Sequence, residues 1–245
     1  AATRIREDVL RLLRFYRCRA HYGTGEADAA ARAACRALAA LLPTLSGERV
    51  AAETLKLLAA PDPLPSLTMM VEDGVLAMLL PEASRLDRLA ALLPLEPAAD
   101  PLRRLGALIA GDPAAPAERL RLGNEQRARL RALAAPPWPV DLAGDDRSQR
   151  RAIHRLGAAL YRDLVLLRAA ESGARDRLPP LLAFAAQWRP LVFPLKGRDV
   201  TARGVAAGPE VGRILAQLEQ WWEAGDFRAD RRAALAELKR RVGRH

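Results

Sequence analysis

Arg4-Ile5-Arg6-Glu7-Asp8-Val9-Leu10-Arg11-Leu12-Leu13-Arg14-Phe15-Tyr16 lies at the head of a chain of 245 residues. Ile5, Val9, Leu12, Leu13 and Tyr16 recur at the three- and four-residue steps of an amphipathic helix, and the pattern runs to about His21 before Gly23 and Gly25 stop it. The spacing predicts one helix over 4–21. The rest of the chain uses the same alphabet: Leu, Ala and Arg dominate, β-branched residues are sparse and aromatics are only 4%, so intrinsic propensity favours helix nearly everywhere. The expected fold is all-α, a multi-helix elongated array of small helical subdomains.

Punctuation divides that array. A second helix is expected from Asp28 to Leu42, where Pro43 breaks it, and a third from Ser46, an N-cap, with Glu48 in the first turn facing the helix dipole. Pro61-Asp62-Pro63-Leu64-Pro65 marks a linker, followed by shorter helical patterns over 67–72, 86–93, 101–110 and 117–122. Asn124 reads as the cap of a helix over 125–134, and Pro136-Pro137-Trp138-Pro139 marks the next boundary. One long helix over 149–171, another over 177–187, a loop over 189–208, a helix over 209–222 and a last one from Asp230 complete the chain. The divisions expected are thus 1–60, 61–140 and 141–245, with no repeat period.

The formal net charge of +10 attracts polyanions, with nucleic acid the commonest. Because acidic residues are interspersed with the basic ones, charge alone does not decide the partner. Cys18 and Cys35 lack C-x-x-C spacing, which argues against a metal site and fits a reduced cytoplasmic setting. No apolar run reaches the roughly 20 residues of a membrane span and no charged-then-apolar leader is present, so no membrane partner is expected. The opening Ala1-Ala2-Thr3 enters a strong helix without an initiator Met and reads as cut from something longer. His21, His154 and His245 stand isolated in sequence, suggesting neither a ligand set nor a triad. Trp138, Trp188, Trp221 and Trp222 can stack on bases, but Trp at a helix end is more often packed.

Asp8, Arg11 and Arg14 stand three residues apart along one side of the first helix, where Glu7–Arg11 and Asp8–Arg11 are ordinary intrahelical pairs worth a few tenths of a kcal/mol. Together with Glu7, Ala20 and Gly23, however, the run Arg4-Ile5-Arg6-Glu7-Asp8-x-x-Arg11-x-x-Arg14-Phe15 resembles the helix after the head domain in the bacterial tRNA nucleotidyltransferase and poly(A) polymerase family. The resemblance implies that Asp8 and Arg11 read the incoming base, that Glu7 holds them in place, and that Arg14 belongs to the same nucleotide-binding set. Leu45-Ser46-Gly47-Glu48-Arg49-Val50-x-x-Glu53 is similar to the segment that braces the neck in that family. It implies support from Ser46, Glu48, Arg49 and Glu53, with Arg49 and Glu53 paired at four residues. Leu120-Arg121-Leu122-Gly123-Asn124-Glu125 resembles the helix cap of the family's body, with Gly123 where Ser is usual. The stretch Phe193 to Val200, with Gly212, Trp221-Trp222 and Gly225-Asp226-Phe227, resembles the tail of CCA-adding enzymes from alphaproteobacteria. A turn feeding a helix N-terminus there, with Lys196 and Arg198 nearby, offers what a phosphate needs or merely turns the chain; the resemblance implies tRNA phosphate contact by Lys196, Gly197 and Arg198.

The chemistry of the implied base-reading pair is self-consistent. Cytosine and adenine each present an amine donor beside a ring-nitrogen acceptor; a carboxylate only accepts and a guanidinium only donates, so the pair complements both. Uracil and guanine reverse that order and would leave unpaired polar groups at roughly 1–3 kcal/mol apiece. The implied function is the nucleotide-selecting and tRNA-binding part of an enzyme that adds C, C and A to tRNA 3′ ends from CTP and ATP. Its Mg²⁺ would sit in an N-terminal mixed α/β head. A Gly-rich turn followed by D-x-D is absent from this chain, which alone is expected to catalyse nothing. Two alternatives stand: a poly(A) polymerase of the same family, which the tail resemblance argues against, and a non-catalytic helical RNA-binding module in which the first helix is merely charged and amphipathic.

Overall fold

The helix expected over 4–21 is broken in the computed structural model, which describes residues 2–243: α1 (Ala2–Glu7) ends one residue before Asp8, and α2 (Leu10–Tyr22) begins after Val9. The Asp8 carboxylate accepts a hydrogen bond from the Leu10 N–H at 3.3 Å, while the Arg11 and Leu12 N–H groups reach back only three residues, to the Asp8 and Val9 carbonyls. A short acidic side chain that offers the backbone an acceptor competes with the helix ladder, and here it wins.

α3 (Ala29–Leu38) starts at Asp28, whose carboxylate accepts from the Ala30 and Ala31 N–H groups at 2.8 and 3.1 Å. It does not stay α-helical to Leu42. A 3₁₀ turn over Ala39–Thr44 takes over and admits Pro43. Ser46 occupies the N-cap of α4 (Gly47–Leu58), but its hydroxyl makes no capping hydrogen bond. There follow α5 (Leu64–Glu72), α6 (Val75–Leu79), α7 (Leu86–Leu92), α8 (Pro101–Leu108), α9 (Ala114–Arg119) and α10 (Asn124–Ala134). Gly123, not Asn124, is the residue before α10, and its N–H donates to the Gln126 side chain at 3.2 Å.

The single helix expected over 149–171 is two, α11 (Asp146–Leu156) and α12 (Ala158–Ser172), divided at Gly157 with φ 75° and ψ 156°. That backbone region is essentially closed to side-chain-bearing residues, and nothing lies within 4 Å of a Cβ built there, so strain rather than a clash sets the penalty. Gly157→Ala is expected to lose about 1–3 kcal/mol of unfolding free energy in urea titration. A loss under half of that would mean the turn is free to reshape. The chain ends with α13 (Leu178–Gln187), α14 (Gly197–Thr201), which lies inside the loop expected over 189–208, α15 (Pro209–Ala224) and α16 (Arg231–Val242). Among the described residues there is no strand, only an isolated bridge between Ala83 and Ile109, and no helix is long and apolar enough to cross a membrane.

Apolar packing divides the chain differently from the proline-rich segments. One continuous core runs from Ile5 to Ala185, and a second, of Leu195, Val200, Ile214, Leu218, Ala234 and Leu238, lies beyond it. The prolines near 61–65 and 136–139 turn the chain, yet Ala60, Leu67 and Val140 beside them are buried, so neither turn parts two cores.

Charge is also buried in the larger core. Arg104 on α8 donates to the Leu58 and Ala60 carbonyls, at and just beyond the C-terminus of α4, at 2.7 and 2.6 Å, and to Glu96 at 2.6 Å. Carbonyls at a helix C-terminus favour a cation. Arg103 reaches Glu96 and Asp163, and Arg129 joins Asp163 to Asp100, so that one network ties α4, α8, α10 and α12 together.

Candidate functional site

The break between α1 and α2 sets the site's geometry. By leaving the helix, Asp8 turns toward α4: Oδ1 accepts from the Leu10 N–H and from Arg49 at 3.0 Å, and Oδ2 lies 3.7 Å from the Arg14 guanidinium. Among the described residues Oδ2 accepts no hydrogen bond. Partial burial works against the Asp8 charge, but the Leu10 N–H and the Arg49 and Arg14 cations outweigh it and hold the carboxyl below its ordinary value.

Arg11 does not pair with Asp8, as the helical spacing suggested. Its Nη1 donates to Glu7 at 2.9 Å and to the Arg4 carbonyl at 2.8 Å, which leaves Nε and Nη2 without partners among the described residues. The expected Arg49–Glu53 pair is likewise replaced, because Arg49 goes to Asp8. The buried carboxylate of Glu53 is met instead by Arg17 at 2.6 Å, with Lys56 at 3.8 Å and Arg14 at 4.0 Å. A free acceptor and free donors therefore stand three residues apart, each fixed from behind by a group of opposite character.

Support comes from the start of α4. Glu48 accepts its own backbone N–H and meets Arg121 at 3.0 Å; both keep its carboxyl below the ordinary value. A Cβ on Gly47 would lie 2.4 Å from the Arg119 carbonyl, so α4 can pack this close to the end of α9 only with glycine there. Sequence reading assigned this residue no role.

At the far end of the chain Lys196 and Arg198 are exposed and make no ion pair among the described residues, with Gly197 half-buried between them. The Lys196 N–H is already taken by the Asp199 carboxylate at 2.7 Å. Arg231, at 2.5 Å, and that N–H pull the Asp199 carboxyl down to about 2. The start of α14 thus carries a built-in carboxylate, and the two side chains, more than the backbone, are what it offers an anion.

The tryptophans are mostly packing residues: Trp138 lies under Arg155, Trp188 against Phe184, and Trp222 among Phe193, Phe227 and His154. His21 contacts the Lys56 carbonyl, and His245 lies outside the described residues. His154 is not isolated, since Glu219 and Glu223 of α15 come to its ring.

Residues 28–86, from the start of α3 to the start of α7, match the family described as "Probable RNA and SrmB- binding site of polymerase A". The chain is similar to the mitochondrial CCA tRNA nucleotidyltransferase 1 of Mus musculus, at 32% identity over 60 residues, 24% of this chain and 14% of the mouse protein. Its fold is that of a Thermotoga maritima CCA-adding enzyme solved in complex with tRNA-CCA, with a TM-score of 0.59 and 16% identity over 99% of this chain and 63% of that one. A CCA-adding enzyme solved with CTP shares the fold at a TM-score of 0.62 and 15% identity, over 99% of this chain and 62% of that one. The chain spans less than two thirds of the length of either solved structure. The family match thus lies within residues 28–86, while the likeness in fold to the CCA-adding enzymes runs along nearly the whole chain.

Proposed function

We propose that this chain selects the incoming nucleotide and holds the tRNA for a cytoplasmic CCA-adding tRNA nucleotidyltransferase, which adds C, C and A from CTP and ATP. The observation that carries the reading is that, among the described residues, Asp8 Oδ2 accepts no hydrogen bond and Arg11, three residues on, donates none from Nε or Nη2. Asp8 accepts from the exocyclic amine of cytosine or adenine, and Arg11 donates to the neighbouring ring nitrogen. Glu7 holds Arg11, while Arg49 and Arg14 hold Asp8, so neither group has to be ordered when the base arrives. Glu48, paired with Arg121, and Glu53, paired with Arg17, fix α4, which starts after Ser46 and from which Arg49 reaches across. Lys196 and Arg198, exposed and unpaired among the described residues, supply charge for tRNA phosphate.

The carboxylates near this site do not fit a Mg²⁺ centre, because Glu7, Asp8 and Glu53 are each committed to arginine. Mg²⁺ and the transfer chemistry belong to residues outside this chain, and the chain alone is inactive.

Nucleotide incorporation into tRNA ending before CCA tests the reading, using the full-length protein that carries this chain with Asp8→Ala or Arg11→Ala beside the unaltered protein. Each variant is expected to lose roughly 10- to 100-fold in C and A incorporation, the equivalent of one unpaired polar group, and to discriminate less against UTP and GTP at unchanged tRNA affinity. Normal C and A addition with U and G still refused would overturn it. Incorporation of A alone by the unaltered protein would instead identify a poly(A) polymerase, a reading favoured by the description of the family matched over 28–86.

A further inference from the structure

Three donor atoms far from the nucleotide site converge between α11 and α15. His154 Nε2 lies 3.8 Å from Glu219 Oε1 and 3.7 Å from Glu223 Oε1, and all three ligand atoms lie within 4.8 Å of one another. Glu219 and Glu223 stand four residues apart on one helix, one turn above the other. Glu223 is 3% exposed, and its Oε1 is buried without a hydrogen-bond partner. A buried carboxylate oxygen left in that state costs free energy unless a further partner satisfies it.

Arg155 explains only half of that carboxylate. Its Nε and Nη2 donate to Glu223 Oε2 at 3.1 and 3.0 Å; Nε is 2.9 Å from Oε1 as well, but not aligned to donate to it. The imidazole is held by Phe227 and Trp222 at centroid distances of 4.9 and 6.0 Å, which fix its plane and keep the surroundings of low polarity.

We propose that His154, Glu219 and Glu223 bind a divalent transition-metal ion of the zinc type, which pins α15 to α11. One imidazole nitrogen with two carboxylate oxygens is a ligand set that zinc-type ions accept, the imidazole favouring them over Mg²⁺ or Ca²⁺. Tetrahedral metal–ligand bonds of about 2.0–2.2 Å put ligand atoms roughly 3.3–3.6 Å apart, a few tenths of an ångström closer than the His154–Glu219 and His154–Glu223 distances here. Glu219 is half-exposed and free to make most of that adjustment. Water completes the coordination. The site joins the core that ends at Ala185 to the elements of the smaller one, so the ion acts as a clasp between them.

Zn²⁺ titration into the metal-stripped chain, followed by calorimetry and thermal unfolding, tests this, with Glu219→Gln and His154→Ala as variants. One Zn²⁺ per chain and a raised melting temperature are expected in the unaltered protein. Glu219→Gln, at a half-exposed position where the isosteric amide does not threaten the fold, is expected to weaken binding at least 10-fold while melting normally in chelator. His154→Ala is expected to abolish binding. No binding by the unaltered chain would overturn the proposal, as would equal binding by Glu219→Gln, which would move the ion to other ligands such as Cys18 or His21.

Discussion

Asp163→Ala is expected to lose about 3–5 kcal/mol of unfolding free energy in urea titration, the range for removing one partner of a buried ion pair. Asp163 sits at 0% exposure on α12, accepting from Arg103 at 2.9 Å and from Arg129 at 2.7 Å. Without it, Arg103, itself buried, keeps only Glu96 and the Ala98 carbonyl for a charge that cannot reach water. Against the roughly 5–15 kcal/mol that holds an ordinary domain together, such a loss leaves a substantial unfolded fraction. Asp163→Asn keeps the volume and one acceptor and is expected to lose less. A loss below about 1 kcal/mol for the alanine variant would mean that water enters and solvates the arginines.

Asp73→Ala is expected to have a comparable effect by another route. Its carboxylate accepts from the Tyr16 hydroxyl at 2.8 Å and from Arg32 at 2.8 and 3.0 Å, with Arg36 at 3.6 Å, so one buried acid joins α2, α3 and the end of α5. Burial alone would raise the Asp73 carboxyl, but Arg32 and the Tyr16 hydroxyl more than reverse that and hold it below its usual value. Burial and the neighbouring Asp73 charge push the Tyr16 hydroxyl well above the usual tyrosine range, so it stays a donor. A folded-state value below the unfolded one means that the stabilisation is complete above about pH 4 and disappears as pH falls through the folded value. The difference in stability between Asp73→Ala and the unaltered protein is therefore expected to be about 3–5 kcal/mol at neutral pH and to shrink below pH 4. Tyr16→Phe, which removes the donor alone, is expected to lose about 1 kcal/mol. A pH-independent gap would mean that packing, and not the charge, is what Asp73 contributes.

The helical class was legible because it follows from local propensity and from apolar spacing, both properties of neighbouring residues. Breaks inside strong patterns were not. Asp8 and Gly157 both lie within unbroken apolar periodicity, and only a side-chain hydrogen bond in one case and a positive φ in the other interrupt it. The residues of the proposed nucleotide site could be singled out from the sequence, but their partners in the fold could not. Spacing offers Arg11 to Asp8 and Glu53 to Arg49, whereas packing gives Asp8 to Arg49 and Glu53 to Arg17, across 41 and 36 residues. Arg103, Arg104 and Asp163 carried no sequence signal at all, since an arginine on a helix is ordinarily solvated and nothing local marks those that are buried. His154 stood alone in sequence for the same reason, its carboxylates lying 65 and 69 residues away.

The smaller core holds six buried apolar residues, and what crosses from it to the larger one is chiefly polar: Arg150 with Asp226, Arg155 with Glu223, and Arg147 on the Ala224 carbonyl. Guanidinium–carboxylate contacts at a partly wetted junction weaken with ionic strength, whereas a hydrophobic core does not. The attachment of the last fifty or so residues is therefore expected to follow the salt concentration, with this region opening before the larger core. Counter-ions compete for the same arginines, so added salt is expected to loosen this joint before it unfolds the larger core.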